Sequence, residues 1–481
     1  MNWRKLLCKK RIRELLGGEK SEPDSRTEFE RDYGRAAFST PVRRLQDKTQ
    51  VFPLEEHDAV RTRLTHSLEV SSVARNLGRE VALVLVSKKR ISNRQVHDIE
   101  TIAATCGLIH DLGNPPFGHS GESAIQSWFA SRTSGGTPSS QTEAAREQIF
   151  EGIEKAGNDG SYKSQNANDF LNWEGNAQTL RLVSKLQVLA DDFGINLTCA
   201  TFSAACKYTA CSNELNAQKH ERSKTGFFAS EMEIVETVAK ETGTVGIRNP
   251  ITHLVEASDD IVYSTGDLED GIRKGLMDWS FLREEIAQIS RRDPLVKKIV
   301  AKAEKKVRFR PNERPQRNEE VAQAFRTFSI SAMKEAMLPM FTKRLKDIEN
   351  GNYDRELVKD EDYEAAVFVD ACKKMGQRYV YPSPSTIKLE LMGRKVIHDL
   401  MDVFWEGARV CGSEEEPKSC RKGFEGKAFS LISSNYRKVF QAALDEGKLP
   451  ERYYRLQLVT DQIAGMTDTF AIKTHKRLMN G

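Results

Sequence analysis

The stretch His110-Asp111-Leu112-Gly113-Asn114-Pro115-Pro116-Phe117-Gly118-His119 decides how this chain reads. Upstream, Ile99, Ala103 and Cys106 recur at helical spacing, and His110 falls next on the same face. Gly113 and the two prolines then end that helix just beyond the His-Asp pair. An imidazole and a carboxylate at an inward-facing helix end, with a turn above them, offer two ligands of different type to one divalent metal.

A His-Asp pair alone carries little weight. His97-Asp98 is a second copy, and a lone histidine on an apolar stripe is ordinarily a hydrogen-bonded core residue. Two further positions change the balance. His66 shares a helical face with Val70, Val73 and Leu77, and Asp259 lies on the stripe Val255, Asp259, Val262. A carboxylate on an apolar face is costly unless something cationic meets it. Two imidazoles and two carboxylates from three helices make a mixed nitrogen/oxygen site with coordination positions left for water and phosphate oxygens.

His66, His110-Asp111 and Asp259 fit the H…HD…D pattern, and longer words surround them. These are Arg43-Arg44-Leu45-Gln46-Asp47-Lys48-Thr49-Gln50-Val51-Phe52-Pro53-Leu54-Glu55, the run 61–67, Asn172-Trp173-Glu174-Gly175-Asn176-Ala177-Gln178, Asp267-Leu268-Glu269-Asp270 and Ile463-Ala464-Gly465-Met466-Thr467-Asp468. On these words the chain resembles the bacterial deoxyguanosine triphosphate triphosphohydrolases (dGTPases) of the HD superfamily of metal-dependent phosphohydrolases. The resemblance runs from about Arg35 to the C-terminal helix and thins over 130–169 and 280–320. It implies an all-α fold, a helical HD phosphohydrolase body with additional C-terminal helices. The expected division is an N-terminal helix and loop over 1–33, an HD core over 34–280 with a flexible insertion at 130–170, and a helical C-terminal region over 281–481. The implied activity is hydrolysis of a deoxynucleoside triphosphate, dGTP first, to deoxynucleoside and inorganic triphosphate by metal-assisted attack at the α-phosphate. Magnesium or manganese is the expected ion, and a homo-oligomer, commonly a hexamer, the expected assembly. A broad dNTP triphosphohydrolase, another HD nucleotide phosphohydrolase and a nucleotide-sensing or nucleic-acid-binding scaffold are the alternatives.

The resemblance also suggests roles around the metal. Arg63, one helical turn before His66, is assigned to phosphate, with Arg61 a second candidate. His119 and Glu122 stand i, i+3 at the start of a new helix, where the carboxylate can fix the imidazole tautomer for acid/base work. Taken alone, Glu122 is an ordinary helix-start acid. Asn114 departs from the family pattern, which often has histidine there; an amide can donate to phosphate but cannot shuttle a proton. Tyr263 and Asp267 continue the Asp259 stripe at i+4 and i+8 and are expected at the sugar, the ring excluding a 2′-hydroxyl. Leu45 and Gln46 are candidates for the base or sugar pocket. Asn172, Glu174, Asn176 and Gln178 form a polar word with no individual roles.

Composition agrees. At 481 residues the chain can bury a sizeable core, and its helical periodicity with few alternating runs points to a mainly α protein. The longest apolar run, 81–86, is far too short to span a bilayer, and the N-terminus has no secretory apolar stretch, so a cytoplasmic protein without membrane contact is expected. Eight cysteines without a CxxC pair read as reduced core residues; Cys199, Cys206 and Cys211 fit no zinc spacing. The net charge of +4 names no partner. Residues 291–317 concentrate Arg and Lys, which reads as a solvated face followed by a loop; a groove for single-stranded DNA or an anionic nucleotide effector is the sharper alternative, weakened by sparse aromatics. Loops are expected at 18–26, 131–140 and 411–422.

Overall fold

The computed structural model describes residues 1–20, 22, 24–52, 59–133, 148–154, 161–187, 193–308, 315–412 and 419–479. Residues 53–55 of the Arg43 word, 134–140 of the serine- and glycine-rich connection, 309–314 of the basic segment and 413–418 of the late loop lie outside them.

The fold is all-α, as the periodicity requires. Among the described residues the sheet is a single parallel pair, β1 (Ala210–Cys211) and β2 (Thr225–Phe227). Helix α1 (Arg63–Ser87) starts at a reciprocal cap between Thr62 and Thr65, and buries Val70, Ala74, Leu77, Val81 and Leu85 along one stripe. Helix α2 (Arg94–Ile109) is buried along nearly its whole length and ends with His110 as its C-cap. A turn leads into α3 (Gly118–Ala130), and farther on comes the short α4 (Gly175–Arg181). Helix α5 (Pro250–Arg273) opens on Asn249, whose side chain accepts from the Ile251 amide, and Pro250 fills its first turn, where no amide donor is needed. Two long C-terminal elements complete the frame, α6 (Pro384–Ala408) and α7 (Glu451–Ala464), followed by α8 (Asp468–Met479).

Two apolar cores result. One joins α1, α2 and α5 with the helices Trp279–Ile289, Pro315–Glu349 and Ala366–Met375. The other joins α3, α4, α6 and α7 around Trp128, Trp173 and Trp405. Helix α2 passes from the first core, at Ile102 and Cys106, to the second, at Leu108 and Ile109, and the His110–His119 turn stays in the second through Leu112 and Phe117. The axes of α1 and α2 approach closely because small residues face each other: a Cβ on Gly107 would stand 2.8 Å from Ser71 Cα, and one on Gly78 3.0 Å from Ala103 Cβ. Ser71 Oγ donates to Ala104 O at 2.7 Å across the same seam.

Several expectations are revised. The N-terminus forms two short helices, Trp3–Leu6 and Ile12–Leu15, because Trp3, Leu6 and Ile12 are buried and the fully buried Arg11 must reach Asp32, Glu28 and the Asn196 carbonyl. Cys411 and Cys420 are bonded to each other with Cα atoms 5.5 Å apart, so not every cysteine is a reduced core residue. As the expected additional C-terminal helices require, the chain turns at Gly465 between α7 and α8, and α7 is buried within this chain's own core. Lysines 297, 298, 302, 305 and 306 of the helix Pro294–Val307 are exposed, a solvated basic face over the apolar stripe Val296, Ile299 and Ala303. No helix among the described residues is long and apolar enough to cross a membrane.

The α1–α2 seam makes a direct prediction. Gly107→Val forces the two helices apart and is expected to lower unfolding stability by about 1–3 kcal/mol while weakening divalent-metal binding. Denaturant melts and metal titration of the same variant check both; unchanged stability would refute the close-contact account.

Candidate metal centre and its cavity

The three helices bring the four expected ligands together. His66, on the buried face of α1, lies with Nε2 2.9 Å from Asp259 Oδ1 on α5. His110 Nε2 stands 3.5 Å from Asp111 Oδ2 and 3.7 Å from Asp259 Oδ1. The ligand atoms of His66, His110 and Asp111 fall within 4.8 Å of one another. His110 Nδ1 is 2.8 Å from the Gly107 carbonyl, which assigns its proton to that bond and leaves Nε2 with a lone pair. That Nε2 is buried and has no hydrogen-bond partner. An orphaned acceptor aimed at two carboxylates and a second imidazole is the donor set that a hard or borderline divalent ion satisfies, so these residues fit a metal. Against burial, which opposes it, Arg63 and the neighbouring imidazoles hold Asp111 well below the usual carboxylate range; Asp259 is lowered in the same way by His110 and His66.

The turn above these ligands is over-determined. Gly113 packs so tightly on α4 that a Cβ would sit 2.1 Å from the Gly175 carbonyl, and its amide donates to Thr179 Oγ1 at 2.9 Å. Asn114 Nδ2 donates to Asp111 Oδ1 at 2.6 Å, and Arg63 Nη1 to Asp111 Oδ2 at 2.5 Å. Lys48, buried, donates from Nζ to the Asn114 carbonyl at 2.5 Å and to the Ala464 carbonyl at 2.8 Å. Phe117 takes a left-handed conformation at φ 65° to start α3; its amide donates to Asp468 Oδ1 at 3.0 Å. Asp468 Oδ2 accepts from the Thr49 amide at 3.0 Å and from the Thr49 hydroxyl. The words around Lys48 and Asp468 thus meet at the metal turn, more than 400 residues apart in sequence.

The cavity beside the ligands is lined by His110, Asp111, Asn114, His119, Glu174, Asn176, Lys207, Tyr208, Lys224, Glu256 and Asp259. His119 is exposed on its wall. The surrounding protein, then Arg63 and Lys224, hold its imidazole below its ordinary value, so it is neutral at pH 7. Glu122 is buried behind it. Burial and Glu174 push its carboxyl up to about 7. The expected Glu122–His119 hydrogen bond is not made: Glu122 accepts from the Gly175 amide at 3.4 Å and stands 3.8 Å from Lys224 Nζ. The helix turn carries both side chains to the same wall, but α4 and Lys224 draw the carboxylate away from the ring.

Other expectations divide. Arg61 is not a free phosphate ligand. It is locked in an ion network with Glu69, Glu269 and Asp270, joined by Arg326, because it precedes the α1 cap and faces the side of α5 that carries those acids. Leu45 is fully buried in the second core and Gln46 is exposed; neither lines the cavity. Tyr263 stands outside the lining, with Lys373 Nζ 5.3 Å from its ring centre. Asp267 is buried, accepts from the Tyr381 hydroxyl at 2.7 Å and is pushed up to about 7 by burial. Lys373 Nζ also donates to Asp260 Oδ1 at 2.7 Å. In the polar word, Glu174 caps α4 by accepting from the Asn176 amide and Nδ2, and Gln178 reaches Asp461 on α7 at 2.9 Å. Sequence reasoning missed Lys207, Tyr208, Lys224, Lys373 and Tyr381; the spacing Lys373, Gln377, Tyr381, one residue per turn, was the only trace of the last pair.

Two family models match the chain: an HD domain over residues 63–167 and a phosphohydrolase-associated domain over 363–477. Curated relatives match over almost the whole length. A deoxyguanosinetriphosphate triphosphohydrolase-like protein of Listeria innocua is 33% identical over 99% of both chains. One of Synechocystis is 32% identical, again over 99% of both. A deoxyguanosinetriphosphate triphosphohydrolase of Serratia proteamaculans is 30% identical over 95% of both.

The clamp and the ligands separate experimentally. His110→Ala is expected to remove bound divalent ion, whereas Asp468→Asn, which weakens only the Phe117 and Thr49 bonds, should retain stoichiometric ion with lower affinity. Metal analysis after gel filtration distinguishes them; full occupancy in His110→Ala would refute the ligand assignment.

Proposed function

Since the chain belongs to the deoxyguanosinetriphosphate triphosphohydrolase family of HD-domain phosphohydrolases, we propose that it hydrolyses dGTP to deoxyguanosine and inorganic triphosphate. The observation that carries this reading is the convergence of Lys207, Tyr208 and Lys224 on the cavity that holds His119 and the His/Asp cluster. A triphosphate brings several negative charges, and two ammonium groups beside a metal-binding cluster give them partners. Magnesium or manganese, held by His66, His110, Asp111 and Asp259, would neutralise charge on the α-phosphoryl oxygens.

The chain's own residues supply the remaining steps. His119, neutral at pH 7, accepts at a ring nitrogen the proton of the water that attacks the α-phosphorus. The bond to the 5′-oxygen breaks. Triphosphate keeps the water oxygen, and the departing 5′-oxygen takes a proton from the group that holds one on that wall, His119 or Glu122. Arg63 orients Asp111 through Nη1, and its guanidinium is assigned to the phosphates. Asn114 steadies the other Asp111 oxygen and offers no proton.

Selection of the sugar is assigned to the stripe beyond Asp259. Tyr263 and Asp267 face Lys373 and Tyr381 from the helix Ala366–Met375 and the turn after it. Asp267 accepts from a 3′-hydroxyl when Tyr381 yields that position, and the exclusion of a 2′-hydroxyl is assigned to the two rings. We assign the base to guanine from the relatives' names; activity on all four dNTPs would keep the mechanism and widen the substrate. An oligomer of this chain in the cytoplasm completes the proposal, and Phe470, Leu478 and Met479 of α8 are exposed apolar side chains for such contacts.

One assay panel decides the reading. In oxygen-18 water, dGTP should yield deoxyguanosine and triphosphate carrying the label; label in orthophosphate would refute attack at the α-phosphorus. His119→Ala is expected to reduce turnover by roughly two to four orders of magnitude with metal still bound. Tyr381→Ala should admit GTP, which the unaltered enzyme rejects; equal turnover of GTP and dGTP by the unaltered enzyme would sink the sugar assignment.

A further inference from the structure

Glu174 has no role in the reaction described so far, yet it sits on the cavity wall, 3% exposed. One of its oxygens accepts from Lys224 Nζ at 3.1 Å, and the same ammonium lies 3.8 Å from Glu122 Oε1. The residue after it, Gly175, donates its amide to Glu122 Oε2 at 3.4 Å. Glu174 is itself pinned: it caps α4 through the Asn176 amide at 2.5 Å and the Asn176 side chain at 2.9 Å. Lys224 is fixed from the other side, because it directly precedes β2, whose Thr225 hydroxyl donates to the Asn172 carbonyl at 2.7 Å. Two buried carboxylates therefore share one cation inside a low-dielectric wall.

We propose that Glu174 is a positioning residue that fixes Lys224 between itself and Glu122 and thereby governs whether Glu122 carries a proton. Two carboxylates that share one ammonium cannot both ionise without cost, and the one lacking the direct ion pair is the one that keeps the proton. Glu122 is that group, since its contact with Lys224 is the longer. The electrostatics agree: burial first and Glu174 second raise Glu122, while Lys224, the Gly175 amide and Arg63 lower it. The other elements on α3 leave this balance alone. Helix α6 brings Glu390 and Arg394 to a groove that reaches His119 but is not lined by Glu122, and His398 to Ser127; the helix Gln165–Leu171 brings Asp169, whose oxygens are taken by Ser212, the Ala229 amide and Tyr453. When a triphosphate enters and draws Lys224 toward its oxygens, Glu122 loses its counter-ion and binds its proton more tightly. Substrate binding thus loads the acid next to His119.

The inference rests on the triphosphohydrolase reading of the site, so its test is made independent of turnover. Infrared difference titration of the unaltered protein against Glu122→Gln isolates the carboxylic-acid stretch of Glu122 and gives its midpoint. Glu174→Gln keeps an acceptor for the Asn176 amide but removes the charge; the midpoint is expected to fall by about one pH unit or more. Lys224→Met should move it the opposite way. An unmoved midpoint in Glu174→Gln, or shifts of the same sign in both variants, overturns the proposal; a cap-only role for Glu174 leaves the Glu174→Gln midpoint where it was, whatever Lys224→Met does. If the midpoints move as expected but the protein cleaves no dNTP, the electrostatic proposal stands and the substrate reading fails. In an active enzyme, the matching limb of the kcat/KM profile must shift with the infrared midpoint.

Discussion

Everything at this site depends on a turn that is held from outside its own neighbourhood. Residues 111–118 carry one ligand and launch the helix of His119, yet the conformation at Phe117 lies where a bulky residue is strained. Lys48 and Asp468 supply the restraint. Each is almost fully buried, and a buried charge persists only where enough polar partners replace its water. Lys48 has two carbonyls for this, and burial, with Arg63 and Arg44 nearby, brings its ammonium down to about 7. Asp468 accepts from an amide on each side of the junction. The C-terminal helices are therefore part of the candidate metal centre although they contribute none of its expected ligands. That explains why helix geometry alone could not foresee how the turn is closed.

The cavity beyond the turn is an economy of paired charges. Arg63 and Asn114 share Asp111, His66 pairs with Asp259, and Glu256 is met by Arg248, His220 and Lys207. Nearly every cation that a polyanionic substrate would need is already engaged by a carboxylate. Binding such a substrate is then an exchange of partners, and its affinity is the difference between two sets of ion pairs inside one low-dielectric wall. An exchange of this kind discriminates by shape as well as charge, because a ligand must reach every cation it releases.

The sequence exposed the parts of this arrangement that are written in local spacing. His66, His110 and Asp259 are legible because each interrupts an apolar helical stripe with a group that a core does not tolerate unpaired. Gly113 and the prolines are legible because they forbid continuation of a helix. Lys207, Tyr208 and Lys224 were invisible: they come from short irregular segments around β1 and β2, where no period marks which way a side chain points. Arg61 misled because the sequence shows it two residues from Arg63, while two of the three acids that hold it, Glu269 and Asp270, lie 208 and 209 residues away. The Cys411–Cys420 bond was equally out of reach, since pairing depends on how a loop returns. Spacing reports a residue's own element; partners across elements belong to the tertiary fold.

Asn114 needs both kinds of information to be understood. From sequence alone, an amide where the family pattern often has histidine reads as a group that can donate to phosphate but cannot shuttle a proton. In the fold its carboxamide orients a ligand, because Nδ2 holds Asp111 Oδ1 while Arg63 holds Oδ2, and its backbone carbonyl receives Lys48. On its far side the side-chain oxygen faces Gly175 so closely that a Cβ there would stand 2.4 Å away. A flat amide fits that slot, donates at the required end and stays neutral at every working pH. The Asp111 carboxylate is thus oriented without a titrating ring at position 114, and the titrating groups on the far wall are His119, Glu122 and those that tune them.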